Sequence, residues 1–243
     1  MLTRLTRGLS AAVAAAMGYV PSQIELLRPP FKMPRGGCDR GVWKVQFSCA
    51  NPVVVRLRRE DDTEYSSYLK AHCLGIPLVP LAHDRMIEVE GKSGERWRGV
   101  AVMYALSGDY YTILSHIIRA LSPADLPRVY AREHQGLEQV VEDISFVHGY
   151  IDELHQRNVV TGDVFSLDNI ARWDGNPVSI DWEDIANYEQ VVHSDAASFD
   201  HGVITLGVSH VVRAAENPNL SVCELRKLEW FLTTLTSSTS TDT

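Results

Sequence analysis

Residues 159–184 read VVTGDVFSLDNIARWDGNPVSIDWED. Asp163 follows a short apolar run, Val159-Val160, through Thr161-Gly162, and Asp168-Asn169 come a few residues later. Residues 169–173 and 178–181 are strand-like runs on either side of Asp174-Gly175-Asn176-Pro177. Asp-Gly is the strongest short hairpin signal, so the segment predicts loop, hairpin and second loop. The second run ends on Asp181. A tight hairpin returns its two ends to one place, so Asp163, Asn169 and Asp181 are expected at one rim. Acid, amide and acid at one point suit Mg²⁺, because hard cations take oxygen ligands and keep some waters.

This order of Asp, Asn, hairpin and Asp resembles the catalytic core of the protein-kinase-like superfamily. The resemblance implies that Asp163 is the catalytic base that orients or deprotonates an acceptor hydroxyl, with Asn169 a metal ligand and Asp181 the main one. Residues 180–184, Ile-Asp-Trp-Glu-Asp, are more similar to the aminoglycoside and choline phosphotransferases than to the Asp-Phe-Gly of ordinary protein kinases. Two departures stand out. Thr161-Gly162-Asp163 replaces the usual His- or Arg-containing triplet, and the step from Asp163 to Asn169 is one residue longer than the family template. Either the loop bulges by one residue, or Asp168 takes the amide's place as metal ligand.

Composition bounds the alternatives. A chain of 243 residues is long enough for one large domain or two small lobes with a real core. Hydrophobic content of 45% and charged content of 22% are ordinary for a globular protein. A net charge of −8 argues against a nucleic-acid partner bound by phosphate neutralisation. Cys38, Cys49, Cys73 and Cys223 are widely spaced and form no C-x-x-C, so a reducing, cytoplasmic compartment is expected rather than a disulfide framework or a zinc site. The opening MLTRLTRGLSAAVAAAMGYV has the outline of a targeting peptide, but its apolar run is mostly alanine, and a first helix is the better reading. No stretch approaches the ~18 apolar residues of a membrane span.

Further along the chain, residues 23–27, 42–48 and 52–58 read as strands, with Arg35-Gly36-Gly37-Cys38-Asp39-Arg40-Gly41 between the first two. The resemblance makes that loop a cover for ATP phosphates, with Gly36, Gly37 and Gly41 permitting close backbone approach. It also places Arg56, in Val53-Val54-Val55-Arg56-Leu57, where the family carries a lysine that reaches the phosphates; arginine keeps the charge. Residues 61–74 read as a helix capped by Thr63, with a buried face of Tyr68, Leu69 and Cys73. Glu64 is the candidate partner of the strand cation, and Glu60 the runner-up. Residues 86–89 and 100–106 complete a five-stranded sheet. Met103-Tyr104-Ala105-Leu106 then occupies the place of the family's hinge, where backbone groups take the adenine edge, and Tyr104 and Leu106 are the candidates.

From Tyr110 the pattern turns helical. Leu137, Val140, Val141, Ile144, Val147, Ile151 and Leu154 keep helical spacing up to the catalytic loop. His148 and His155 on that helix read as structural or exposed. Asp195 precedes a helix carrying Val203, Ile204, Leu206, Val208, Val211 and Val212. It resembles the family's aspartate that holds the catalytic loop from below, and it equally fits a plain N-cap. Asn217-Pro218 ends this helix, residues 221–235 read as a last one, and the Ser/Thr-rich tail of 233–243 is expected to be disordered.

The expected fold is α+β: a bilobal protein-kinase-like fold with a small antiparallel β-sheet N-lobe and a reduced, mainly helical C-lobe. Its parts are an N-terminal helical segment (1–22), the N-lobe (23–106), the C-lobe (107–232) and the tail. The implied cofactors are ATP and Mg²⁺, and the implied chemistry moves the γ-phosphoryl of ATP to a hydroxyl. A protein Ser/Thr acceptor is favoured, because small-molecule phosphotransferases usually need a larger helical insert. Compact kinase effectors of some pathogens are similar, which would add delivery into a host cell. A small-molecule phosphotransferase and a catalytically impaired pseudokinase, acting as a binding module, are the alternatives.

Overall fold

The computed structural model describes residues 2–31, 40–59, 63–91, 94–105, 108–182, 186–187 and 196–237. The chain forms two compact units. Residues 1–75 and 79–104 make the first, and residues 76–78 and 105–243 the second.

The first unit is built on five antiparallel strands. They are β1 (Pro21–Phe31), β2 (Arg40–Phe47), β3 (Val53–Arg59), β4 (Ile87–Glu90) and β5 (Arg96–Met103), in the spatial order β1-β2-β3-β5-β4. Alternation along a strand sends neighbouring side chains to opposite faces. Val53, Val55 and Leu57 of β3 therefore share a face with Trp43, Val45 and Phe47 of β2, and all six belong to one buried cluster. Helix α1 (Leu2–Met17) covers that face with Leu5, Leu9 and Val13, spaced four residues apart. The N-terminal helix, expected as a segment of its own, is thus part of the sheet's core. The other face of β3 presents Arg56 and Arg58 to α2 (Thr63–Cys73).

The buried stripe of α2 differs from the expected one. Glu64, Tyr68 and Ala71 are buried, whereas Leu69 and Cys73 are exposed. Tyr68 donates its hydroxyl to the Val79 carbonyl at 3.0 Å. Polar groups that bond inward, rather than the most apolar residues, set this helix's orientation. Gly99 of β5 has a close-packing reason: a Cβ there would overlap the Arg56 carbonyl of the neighbouring strand.

The second unit is mainly helical, with α3 (Tyr110–Ala120), α4 (Leu126–Tyr130), α5 (Gln135–Gln156), α6 (Ala196–Ala214) and α7 (Val222–Thr236). The expected tail begins later than residue 233, because α7 runs through Thr236, which is buried. Ser221 and Glu224 form a reciprocal capping box at its start. Asp109 caps α3 through the Thr112 N–H at 2.7 Å. Asn217 joins two elements: its Nδ2 donates to the Ile118 and Leu121 carbonyls, and its Oδ1 accepts from the Asn219 and Leu220 N–H groups. Between α5 and α6 lie the short strands β6 (Val159–Val160), β7 (Ile170–Trp173), β8 (Asn176–Ser179) and β9 (Ala186–Asn187). β6 pairs with β9, and β7 with β8. Among the described residues no helix is long and apolar enough to cross a membrane.

Candidate functional site

The β7–β8 hairpin turns at Asp174-Gly175, with Trp173 paired to Asn176. Both turn residues have positive φ (49° and 83°), the backbone of a two-residue hairpin turn whose twist matches the strands. The hairpin does what the sequence required of it. The Ile180 N–H donates to the Asn169 carbonyl at 2.7 Å, so the chain entering the hairpin and the chain leaving it meet one residue before Asp181.

The preceding loop is two overlapping turns. Ser166 N–H donates to the Asp163 carbonyl at 2.8 Å, and the Asn169 and Ile170 N–H groups donate to the Ser166 carbonyl at 2.8 and 3.1 Å. Val164 and Phe165 are buried beneath it. Asn169 Nδ2 reaches back to the Asp163 carbonyl at 2.9 Å, which leaves Oδ1 as the oxygen its amide can offer a cation. Asp168 is exposed and accepts from Ser166 Oγ at 2.6 Å. Asp163 is exposed. Asp181 Oδ1 accepts from the Trp182 N–H at 2.8 Å, which fixes the carboxylate beside its own backbone. Asp163, Asn169 and Asp181 are thus drawn into one neighbourhood by hydrogen bonds.

Two residues that the sequence reading passed over hold this neighbourhood together. Ser179, fully buried at the end of β8, has its Oγ 2.8 Å from the Val164 carbonyl and accepts from the Asp181 N–H at 3.1 Å. Asp200 is the second. It lies inside α6, is 1% exposed, and accepts at 2.8 Å from Thr161 N–H, 3.0 Å from Thr161 Oγ1 and 2.9 Å from Gly162 N–H. His155 Nε2 stands 2.9 Å from the same carboxylate. Gly162 has φ 58°, a conformation in which a Cβ is strained. Asp195, expected to brace the loop from below, lies outside the described residues, and Asp200 makes that brace. The signal was available: Asp200 falls on the stripe of Ile204, Val208 and Val211, all buried. A carboxylate on an apolar stripe is buried for a partner.

Behind the loop, Asp143 of α5 ties three elements together. It accepts from the Tyr110 hydroxyl at 2.5 Å, from Arg172 Nη2 of β7 at 3.1 Å and from Gln139 Nε2 at 3.2 Å. Burial first, then the bond to Asp143, pushes the Tyr110 phenol well above its usual range, so it stays a neutral donor. His148 is also buried. Burial, and after it the neighbouring His201, lower its imidazole below the ordinary histidine value.

In the first unit, Glu64 is 1% exposed and carries two guanidinium partners. Arg56 Nε lies 3.1 Å from Oε1, and Arg58 Nε 2.9 Å from Oε2. The Arg56–Glu64 pairing expected from the sequence is therefore present, with Arg58 as an unforeseen third member. Two guanidinium groups thus share one buried acid. Glu60 lies outside the described residues, as do Gly36, Gly37 and Leu106. Gly41 falls inside β2, opposite Leu57, where its missing Cβ makes room for the Trp43 indole. That packing is reason enough for a glycine there. At the expected hinge the Tyr104 N–H donates to the Pro52 carbonyl at 3.2 Å, and that of Met103 to Pro80 at 2.9 Å. Tyr104 instead offers its ring to Lys44 Nζ, 4.1 Å from the centroid.

No family model matches the sequence, and no curated protein matches it. Among solved structures, the Legionella pneumophila LegK7 effector kinase is similar at 12% identity with a TM-score of 0.46. The similarity covers 96% of this chain and 60% of that one.

Proposed function

We propose that this chain is a phosphotransferase that moves the γ-phosphoryl group of ATP to a hydroxyl, most simply that of a protein Ser or Thr. The observation that carries the reading is the braced loop. Asp200 fixes Thr161 and Gly162 from below, the Asn169 amide closes on the Asp163 carbonyl from above, and Asp163 itself stays exposed. Phosphoryl transfer demands little covalent chemistry from a protein; it demands positioning and charge stabilisation. A carboxylate presented by a rigid backbone suits the orientation of an acceptor hydroxyl. The oxygens of Asn169 and Asp181, with Asp168 alongside, fit a hard divalent cation such as Mg²⁺, which would neutralise phosphate charge when bound. The guanidinium groups of Arg56 and Arg58 suit nucleotide phosphates, which a guanidinium can bind bidentately.

The test is transfer from labelled ATP with Mg²⁺ to generic proteins and, in parallel, to aminoglycosides and simple amines. Transfer to protein is expected, with a loss of about 10²–10⁴-fold in Asp163→Asn and abolition in Asp181→Ala. Labelling only of small molecules would move the protein to the aminoglycoside and choline branch. ATP binding without transfer to any acceptor would support the pseudokinase alternative, which the arginine at position 56 favours.

A further inference from the structure

His148 of α5 and His201 of α6 stack with their Nδ1 atoms 2.6 Å apart. Each ring has a second partner. His148 Nε2 lies 2.6 Å from the Thr236 carbonyl in the last turn of α7. His201 Nε2 lies 3.0 Å from Asp152 Oδ1 of α5. Thr236 is 1% exposed, and its carbonyl is among the last of its helix, which lack an intrahelical donor. One run of contacts thus joins the end of α7 to α5, α5 to α6, and α6 back to α5.

The ends of this run fix its proton count. The Thr236 carbonyl can only accept, so His148 Nε2 carries a proton. A carboxylate can only accept, so His201 Nε2 carries one too. The two Nδ1 atoms share a third, since two lone pairs or two N–H groups would repel at that distance. Two neutral imidazoles hold two protons between them, so this pair carries one more and a single positive charge. Burial first, and His201 second, lower the His148 imidazole below the ordinary histidine value. His148 is therefore the neutral ring that accepts at Nδ1, and His201 is the imidazolium, with Asp152 as its counter-ion. The other titratable groups described here are His155 and Asp200. The His155 ring meets that of His201 edge-on, centroids 5.6 Å apart, and its Nε2 lies 2.9 Å from Asp200. β6 brings only Val159 and Val160 to α6, and α3 meets it farther along, at His210.

We propose that His148, His201 and Asp152 form a pH-sensitive clasp, in which one proton on the histidine pair fastens the last turn of α7 and the helix carrying Asp200 to α5. Once that proton leaves, the bond to His148 or the bond to Asp152 must break, because a neutral His201 has one N–H for two acceptors. His201 follows Asp200 on α6, so release of the clasp loosens the helix that braces the loop. Solvent can take the proton, since the His201 side chain is 16% exposed and that of Asp152 49%. The folded pair keeps its proton where histidines of the unfolded chain, which titrate near about 6.5, have lost theirs. A proton held more tightly in the folded state stabilises in full below that value, and its contribution is lost as the pH rises.

The test reads the protons directly and then their linkage to folding, on the full chain. In ¹⁵N NMR of the imidazoles at about one pH unit above the unfolded-chain value, both His201 nitrogens should be protonated. His148 should be the neutral ring with its proton on Nε2, and the urea-unfolded chain should show both rings neutral. Urea unfolding of the wild type and His201→Gln then follows the linkage. The wild-type advantage should be full at about pH 6 and should fall about tenfold in folding equilibrium constant per pH unit above about pH 7, until the folded pair gives up its proton. Asp152→Asn, at a half-exposed position, should stay folded and release the His201 proton at lower pH than the wild type. If His201→Gln does not fold, the ¹⁵N spectra of the wild type and Asp152→Asn decide. A neutral His201 in the folded chain in that spectrum, or a wild-type advantage that is the same at about pH 6 and about pH 8.5, overturns the proposal.

Discussion

The two candidate clusters are built on opposite principles. In the first unit, Arg56, Glu64 and Arg58 are placed by strand alternation and one helical turn, and charge alone holds their tips together. In the second, Asp163, Asn169 and Asp181 are placed by main-chain hydrogen bonds, and buried Asp200 and Ser179 hold the backbone that carries them. A group positioned through its backbone keeps its place when its own tip is changed. A group positioned by a counter-charge does not. The loop should therefore tolerate changes at Asp163 and fail at Asp200, whereas the charge cluster should fail at its shared member.

The largest effect is expected at Asp200. Asp200→Ala removes acceptors from the buried Thr161 N–H, the part-buried Gly162 N–H, the Thr161 hydroxyl and His155 at once. Orphaned buried donors each carry their own desolvation cost, so the loss should reach about 4 kcal/mol. Asp163→Asn, in the same loop but exposed, should cost less than about 0.5 kcal/mol. Denaturant unfolding monitored by tryptophan fluorescence checks both, with Trp182, fully buried next to Asp181, as the local reporter. Similar losses for the two variants would break the distinction drawn above.

Glu64→Gln comes next. It removes the buried negative charge that Arg56, almost fully buried, and Arg58 share, a loss expected at about 3 kcal/mol. Arg58, 19% exposed, can relieve part of this by turning to water. The sharper test is rescue. Arg56→Met with Glu64→Leu should recover much of the stability, because a buried ion pair replaced by apolar side chains of similar volume is often neutral or better. No such rescue exists for Asp200, because two of its partners are backbone N–H groups that substitution cannot remove.

What the sequence disclosed follows the same division. The hairpin was legible because Asp174-Gly175 is a local instruction, satisfied within four residues. The sheet and the Arg56–Glu64 pair were legible because alternation and helical spacing are short-range. Asp200 was passed over because a helix-opening position at Asp195 is a stronger local cue than a carboxylate inside the helix, although its place on the apolar stripe of Ile204, Val208 and Val211 marks it. Ser179 gave no signal, since a serine in a strand is unremarkable until a carbonyl from another segment lies over it. The α1 stripe of Leu5, Leu9 and Val13 was readable in period but not in destination. Leu69 and Cys73 were assigned inward on hydrophobicity, whereas Glu64 and Tyr68 face inward for their hydrogen-bonding and ionic partners. His148 and His155 read as structural or exposed, and only packing shows that both bond across to α6, to His201 and Asp200.

The smallest effect concerns a charge pair at the surface, a counterpart to the buried cluster. Glu229 of α7 accepts from Arg213 Nε at 2.8 Å and Ser209 Oγ at 2.6 Å. The Arg213 bond first, and the Ser209 bond second, lower the Glu229 carboxyl below its ordinary value. A carboxyl depressed in the folded state binds its proton later than in the unfolded chain. Its contribution is therefore complete above the unfolded value of about 4.3 and is lost as pH falls through the lower folded value. Arg213 is 72% exposed, so solvent screening limits the contribution to less than about 1 kcal/mol. Glu229→Gln should lower stability by that small amount at neutral pH, and the gap to the wild type should close as the pH drops below about 4. Added salt should shrink the gap at neutral pH, because exposed pairs are screened. It should leave the Glu64→Gln deficit nearly intact, because a pair removed from water is screened much less. Equal salt sensitivity at the two sites would mean that burial does not distinguish them.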